Sequence, residues 1–227
     1  MPEAIEFRLA AVLERVRDDG PAVLPAAALH SPRLLRPTRL TVPDDRLRAM
    51  AAALAALSGD SEEAAERVCK AIFAAMTYEN GATTVSTTAA AALALGRGVC
   101  QDYSHVMLAL CHVLRLPARY VSGHLLGQGG THAWTEVIVP RDGQAEAVAF
   151  DPCHGRRTDG GYVTVATGRD YADVAPPPAP TSAPPRAASP PPAASASCPP
   201  PDPAPGMRTT GNCMTSSQYR TTSEAFM

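Results

Sequence analysis

The amino-acid sequence predicts an α+β domain in which helices come first and antiparallel strands follow. Apolar residues recur at helical spacing from about residue 44 to residue 114. Beyond Pro117 the spacing changes to that of strands, and this pattern ends near Val174, where prolines become frequent. Helices that precede the strands are typical of the α+β class, because parallel α/β folds alternate the two.

Composition and charge narrow the functional classes. The chain has 227 residues, 45% of them hydrophobic and 5% aromatic, so Ala, Val and Leu must form most of the core. A net charge of −2 gives no reason to expect a nucleic acid or an acidic membrane as a partner. No apolar run approaches the roughly 20 residues that span a bilayer. The acidic N-terminus lacks the layout of a signal peptide, so we expect a cytoplasmic protein whose thiols stay reduced.

Residues 1–43 are predicted to be a short lead-in to the domain. Ile5, Leu9 and Val16 lie on one face of an amphipathic helix within residues 1–20. From Pro21 to Pro43 the prolines are frequent enough that helices cannot persist.

The domain is predicted to span residues 44–174. Four helices are predicted in its first half. The first runs from Asp44 to Leu57, and the second begins at Asp60 with a cap and acidic residues. The third runs from about Ser86 to Leu95 and stops at Gly96. The fourth starts near Cys100 and ends before Pro117.

Four strands are predicted to follow these helices. They cover residues 118–126, 132–139, 146–150 and 162–165. Pro140-Arg141-Asp142-Gly143 supplies a hairpin turn between the second and third strands. On the second strand, we expect His132 and Trp134 to share a face against which the N-terminus of the fourth helix packs.

The tail, residues 175–227, has a different composition. Residues 175–205 hold 14 of the 23 prolines and no aromatic residue, Val, Leu or Ile. A segment with so little apolar surface cannot offset the entropy lost on folding, so we expect the tail to be disordered.

Three residues in the domain predict a nucleophilic site. A glycine-rich break, Gly96 to Gly98, places Cys100 in the first turn of the fourth helix. His132 opens the second strand, and Asp151 closes the third. In such a set a thiolate attacks, an imidazole moves the proton and a carboxylate orients the imidazole.

The segments around these three residues resemble the bacterial transglutaminase-like family. They are Gly98-Val99-Cys100-Gln101-Asp102-Tyr103, Thr131-His132-Ala133-Trp134-Thr135-Glu136 and Phe150-Asp151-Pro152. The resemblance implies a papain-like core whose nucleophile helix packs on an antiparallel sheet. It also implies a cysteine acyltransferase or hydrolase that forms a thioester from a protein or peptide amide and passes the acyl group to water or a primary amine. Members usually carry a larger β-rich region before this core, for which residues 1–43 are too short.

Three further residues are candidates for contacts with the substrate or its oxyanion. Tyr78 matches an aromatic position near the family's cleft, which implies an oxyanion contact or a core aromatic. His124 is a candidate for lining the cleft. Trp134 is a candidate substrate contact, although packing beside the site is the simpler interpretation. The backbone N–H of Cys100 is a further oxyanion donor, since the first amides of a helix have no acceptor within it.

Other kinds of site find less support in the sequence. Cys111-His112 and Cys153-His154 have poor spacing for zinc, and no calcium loop or cofactor motif occurs, so we expect neither metal nor cofactor. Cys69 and Cys111 fall on apolar helix faces and are expected to be buried. Two alternative functions stay open: a cysteine peptidase or amidase of the same fold, and a non-catalytic binding module.

Overall fold

The computed structural model describes residues 21–57, 59–128 and 130–176. The predicted helix in residues 1–20 and the predicted disordered tail from residue 177 onward lie outside these residues. The α-helices are α1 (Pro32–Leu35), α2 (Asp45–Ala55), α3 (Ser61–Ala75), α4 (Ala89–Leu95) and α5 (Cys100–Val113). Within the described stretches, none of these helices combines the length and apolar character needed to cross a bilayer.

Side-chain caps fix where the predicted helices begin. The Asp44 carboxylate accepts the amide hydrogen of Leu47 at 2.9 Å, so α2 begins at Asp45. Asp60 and Glu63 form a reciprocal capping box at the start of α3, as its sequence predicts. Helix α4 begins three residues later than predicted, because the hydroxyl of Thr88 caps it by accepting the amide hydrogen of Ala91.

Helix α5 forms the centre of the main core. Every residue from Gln101 to His112 is buried, which is expected of a helix enclosed on all sides. Helices α2, α3 and α4 contact it. Its other contacts are with the sheet, where Ala133, Val137 and Phe150 join the same cluster. Cys69 and Cys111 also lie in this core, which confirms that they act as small buried residues.

The sheet is antiparallel and curled, so the predicted α+β class is confirmed. Its strands are β1 (Ala22–Leu24), β4 (Ala118–Leu125), β5 (Thr131–Arg141), β6 (Gln144–Asp151), β7 (Arg156–Arg157) and β8 (Tyr162–Gly168). The order across the sheet is β1-β6-β5-β4-β8, and β7 pairs with β6. Two short strands, β2 (Thr77–Tyr78) and β3 (Arg97–Gly98), form a separate parallel pair.

The proline-rich lead-in is more regular than predicted. It contains β1, a 3₁₀ helix (Ala26–His30) and the four-residue α1. Pro32 stands at the start of α1, where its missing N–H costs no helical hydrogen bond. Strand β1 pairs with β6, and this long-range pairing leaves no periodic signal in a three-residue segment.

The predicted packing face of β5 is wrong. Helix α5 packs on the face that carries Ala133 and Val137, whereas Trp134 packs on the opposite face with Val121 and Tyr162. His132 shares the Trp134 face by the alternation of the strand. His132 still reaches Cys100, because it lies near the beginning of β5 and before the β5–β6 ladder, which starts at Thr135.

Candidate active site

The backbone around Cys100 places this residue in the first turn of α5. Helix α4 ends at Gly96, whose φ of 67° is left-handed and suits glycine. The chain then extends through β3, and Val99 serves as the N-cap of α5 with an extended backbone. Cys100 is therefore the first helical residue, where the backbone amides have no acceptor within the helix.

The buried carboxylate of Asp102 stabilises this turn by accepting two hydrogen bonds. Its Oδ2 accepts the amide hydrogen of Val99 at 2.8 Å and the hydroxyl hydrogen of Thr83 at 2.6 Å. A Cβ on Gly98 would lie 2.6 Å from that same Oδ2, so only glycine fits beside the carboxylate. Burial raises the pKa of Asp102, and the hydrogen bonds from Thr83 and Val99 oppose that effect.

His132 is buried between Cys100 and Asp151. Its Nε2 lies 2.7 Å from Oδ2 of Asp151, which leaves Nδ1 as the nitrogen for the thiol. Burial lowers the pKa of His132, but hydrogen bonds to Asp151 and Cys100 and the charges on both outweigh burial and raise it to about 9. The imidazole is therefore protonated at neutral pH and suited to pair with a thiolate.

Asp151 is fully buried at the end of β6 and accepts four hydrogen bonds. Its Oδ2 accepts from Nε2 of His132, from Nδ1 of His154 at 2.6 Å and from the hydroxyl of Tyr162 at 2.7 Å. Its Oδ1 accepts the amide hydrogen of Cys153 at 2.9 Å. Burial raises the pKa of Asp151, yet the bonds from His132 and Tyr162 and the charge on His132 bring it below its usual value. The carboxylate is thus ionised and held in one orientation.

His154 and Tyr162 belong to the site by their hydrogen bonds to Asp151, although the sequence does not predict them. His154 follows Asp151 in a turn that the aspartate itself caps, and a histidine three residues after an aspartate carries no strong signal. Tyr162 comes from β8, which pairs with β4 rather than with β6. Its ring contacts Trp134 edge-on, with the centroids 5.4 Å apart. Only the folded sheet brings Tyr162 to Asp151.

A cavity of about 220 Å³ opens in front of the imidazole. Its lining side chains are those of Tyr78, Gln128, His132, Cys153 and His154. Tyr78 is 52% exposed, so it lies at the cavity and not in the core. Burial, followed by the charge of Cys100, raises the pKa of the Tyr78 phenol, which places the phenol near the thiol.

The other two substrate candidates lie away from this cavity. His124 is exposed on the strand face opposite His132, and its Nδ1 lies 3.2 Å from the carbonyl oxygen of Gly130. Trp134 is 1% exposed and stacks behind His132 at a centroid distance of 6.2 Å. A Cβ on Gly123 would lie 2.5 Å from the Trp134 ring, so glycine makes room for the indole.

Cys153 lines the cavity, and its surroundings differ from those of Cys100. Burial raises the pKa of the Cys153 thiol, and the charges of Cys100 and Asp151 raise it further. Cys153 is therefore a protonated thiol, whereas Cys100 lies beside the protonated imidazole of His132.

Comparisons with known proteins identify related sequences and a related fold. Residues 48–152 match the family model of the Transglutaminase-like superfamily. An uncharacterized protein of Mycobacterium tuberculosis is 38% identical over 117 residues, which make up 46% of this chain and 37% of the relative. An uncharacterized protein of Mycobacterium leprae is 30% identical over 153 residues, which make up 63% of this chain and 53% of the relative. The chain thus spans between about a third and a half of the length of these relatives.

A solved structure shares the fold. It is the crystal structure of a "Putative Cysteine Protease" from Cytophaga hutchinsonii, with a TM-score of 0.56 and 29% sequence identity. The match covers 63% of this chain and 48% of the solved chain. This likeness, together with the family match, confirms the papain-like fold expected from the resemblance.

Proposed function

Because residues 48–152 form a domain of the transglutaminase-like superfamily, a family of cysteine enzymes, we propose that this protein cleaves amide bonds through a thioester on Cys100. The observation that carries the proposal is the convergence of Cys100, His132 and Asp151 from three different elements. The 2.7 Å bond between His132 and Asp151 is buried, and the imidazole interacts with the thiol on its other side.

In the proposed first step, Sγ of Cys100 attacks the carbonyl carbon of the substrate. The thiol proton resides on Nδ1 of His132, so the attacking species is a thiolate beside an imidazolium. Asp151 accepts the Nε2 hydrogen and stabilises the positive ring in this orientation. The oxyanion that develops would accept the amide hydrogen of Cys100, since the first amides of a helix point away from its carbonyls.

In the second step the C–N bond breaks. His132 donates its Nδ1 proton to the departing nitrogen, so that an amine or ammonia leaves and a thioester remains on Cys100. The acceptor then gives a proton back to Nδ1 and attacks the thioester carbon. The C–S bond breaks, the acyl product leaves, and Cys100 returns to a thiolate beside the imidazolium. The same nitrogen thus acts first as an acid and then as a base.

The lining of the cavity favours water as the acceptor. All five lining side chains carry a polar or ionisable group, and that of His154 is 35% exposed. A cavity that is open to solvent admits water readily, whereas transfer to an amine is best served by a dry channel. We therefore place hydrolysis of a protein or peptide amide first and transfer to a primary amine second.

A substrate screen with a trapped intermediate tests this proposal. Wild type and Cys100→Ala would be incubated with a library of peptides and side-chain amides, with and without a labelled primary amine. We expect products only with wild type, acyl adducts on Cys100 by mass spectrometry, and more free acid than amine conjugate. A conjugate in excess over acid would reverse the order of the two activities.

The non-catalytic binding module makes the opposite prediction. Such a module would bind peptides equally well as wild type and as Cys100→Ala, without any adduct on the thiol. A matched control is Cys69→Ala, which removes a buried thiol outside the cavity.

A further inference from the structure

Three potential metal ligands converge at the cavity. They are Nε2 of His132, Oδ2 of Asp151 and Nδ1 of His154, and these atoms all lie within 4.8 Å of one another. Two imidazole nitrogens and one carboxylate oxygen form a donor set that suits zinc and similar divalent transition-metal ions. Within the described residues, no part of the proposed reaction requires His154, so this second imidazole calls for a separate explanation.

The surroundings of the three atoms resemble those of a metal site. Asp151 is oriented by two further donors, the hydroxyl of Tyr162 and the amide of Cys153. Such outer contacts hold ligands in place at metal sites. His154 lines the cavity and is partly exposed, so an ion can reach the ligands from solvent and a water can complete its coordination.

The distances allow an ion after a small movement. Each nitrogen now lies 2.6–2.7 Å from Oδ2, with a shared proton between the two atoms. Tetrahedral bonds of about 2.0–2.1 Å require ligand atoms about 3.3 Å apart, so each nitrogen must retreat by about 0.6 Å. The partly exposed ring of His154 can make its own change by a small rotation. The gap between Nε2 of His132 and Oδ2 of Asp151 must open by a small shift of those two buried side chains.

We propose that His132, Asp151 and His154 bind a divalent transition-metal ion of the zinc type, which inhibits the enzyme reversibly. The ion replaces the proton on Nε2 of His132 and the proton on Nδ1 of His154, and both protons pass to solvent. No electrons are transferred. The binding stands on the ligand geometry alone, whereas the inhibition rests on the function proposed above.

The ion would inhibit by removing the imidazolium of His132. With Nε2 bound to the metal, the imidazole is neutral and carries its hydrogen on Nδ1, which faces Cys100. This hydrogen is far less acidic than that of an imidazolium, so His132 cannot donate it to the departing nitrogen. The ion also separates His132 from the carboxylate that stabilises the imidazolium.

A different site, in which the ion binds the thiolate of Cys100, would give the same loss of activity. The two sites differ in what happens to the sulfur. In the proposed site Cys100 stays free of metal and can still be alkylated. In the thiolate site the metal protects Cys100 from iodoacetamide, and removal of Cys100 abolishes binding.

Titration with Co²⁺ distinguishes these sites, because Co²⁺ reports its ligands through its visible and near-ultraviolet absorption. The full chain would carry Cys198→Ser and Cys213→Ser, since those thiols lie outside the described residues and could bind the ion themselves. We expect tetrahedral Co²⁺ bands without a sulfur-to-cobalt charge-transfer band, both with and without Cys100→Ala. Because Cys100→Ala is inactive under the proposed function, binding to it tests the metal site alone.

His154→Gln should weaken Co²⁺ and Zn²⁺ binding by about tenfold or more, since it removes a ligand outright. The control is His30→Gln, an exposed histidine outside the cavity, which should bind as wild type does. Unchanged affinity in His154→Gln, or a charge-transfer band that vanishes with Cys100→Ala, would overturn the proposal. Absence of binding at millimolar metal would overturn it as well. Circular dichroism would show that His154→Gln keeps the fold.

Discussion

Tyr162 donates its hydroxyl hydrogen to Asp151 at a distance of 2.7 Å. The two residues lie on β8 and β6, which are not neighbours in the sheet. The same tyrosine packs edge-on against Trp134, which stacks behind His132. The carboxylate and the imidazole are thus supported by one aromatic cluster on the sheet face opposite α5. This arrangement makes the orientation of the two residues depend on the sheet and not only on the loop that follows β6.

Tyr162→Phe should separate the hydrogen bond from the packing, because it keeps the ring and removes the donor. With one donor fewer, Asp151 attracts the imidazolium of His132 more strongly, so the pKa of His132 should rise further. Under the proposed function, we expect the alkaline limit of kcat/KM, which follows the loss of the His132 proton, to move to higher pH. The free energy of unfolding should fall by about 1–2 kcal/mol, towards the lower end for a bond to a charged group.

The matched comparison for this variant is Tyr162→Leu, which also removes the ring. If Tyr162→Phe behaved as wild type in both measurements, the hydroxyl would be irrelevant to the carboxylate. Only the ring would then matter.

Asp151→Asn should reduce turnover while leaving substrate binding nearly intact. The amide cannot stabilise the imidazolium of His132, and it favours the wrong tautomer. By analogy with serine-protease triads, the loss in kcat should be about 10²–10⁴-fold. Steady-state kinetics would show the loss in kcat and little change in KM. A near-normal kcat would assign the orienting role to another group.

Cys100 should be the first thiol to react with limiting iodoacetamide at pH 6–6.5. Its partner is the protonated imidazole of His132, whereas Cys153, which lines the cavity, has a raised pKa through burial and is mostly protonated. Peptide mapping by mass spectrometry would measure both adducts in one sample. Equal labelling of the two cysteines would contradict the thiolate–imidazolium pair.

The stability of the protein should depend on pH through His132. The folded pKa of about 9 lies above the value of about 6.5 for an unfolded histidine. A raised pKa contributes stability that is fully present below about pH 6.5 and is lost as the pH rises through about 9. The difference in unfolding free energy between wild type and His132→Gln should therefore shrink across that interval.

Urea unfolding of both proteins between pH 6 and pH 10 would measure this difference. Because other groups titrate in both proteins, only the difference reports on His132. A difference that stayed constant with pH would mean that folding does not shift the pKa of His132.

Local signals explain which parts of this structure can be predicted from the sequence. The capping box at Asp60 and the glycine break before Cys100 are encoded within a few residues, so the starts of α3 and α5 are predicted correctly. The pairing of β1 with β6 joins residues far apart in the chain, and the contact of Tyr162 with Asp151 joins two strands that are not neighbours in the sheet. No periodicity within either segment reveals them.

The wrong face of β5 has a related cause. Period-two alternation shows that His132 and Trp134 share a face, but it does not show which face the helix covers. Both faces of β5 are buried here, one under α5 and the other by the cluster around Trp134, so hydrophobicity does not distinguish them. The position of His132 near the strand end, which lets it reach Cys100, emerges only from the three-dimensional arrangement.

Gly98→Ala should disturb the site without changing any of its reactive groups. The added Cβ would lie 2.6 Å from Oδ2 of Asp102, which caps α5 through the amide of Val99. Relief of this contact must move either the carboxylate or β3, and each movement displaces the first turn that carries Cys100. We expect a loss of about 1–3 kcal/mol in stability, typical of overpacking, and slower alkylation of Cys100.

The matched control for this substitution is Gly130→Ala. There, a Cβ would meet nothing within 4 Å among the described residues, so the chemical change is the same without the contact. Thermal unfolding and alkylation rates of the two variants would be compared with those of wild type. If Gly98→Ala matched Gly130→Ala in both, Asp102 would not be the group that fixes the position of Cys100.

If Gly98→Ala lost reactivity but kept its stability, the turn would have shifted to a new, equally stable position. In that case a further Asp102→Asn change would cost Gly98→Ala less stability than it costs wild type, because the cap would already be broken.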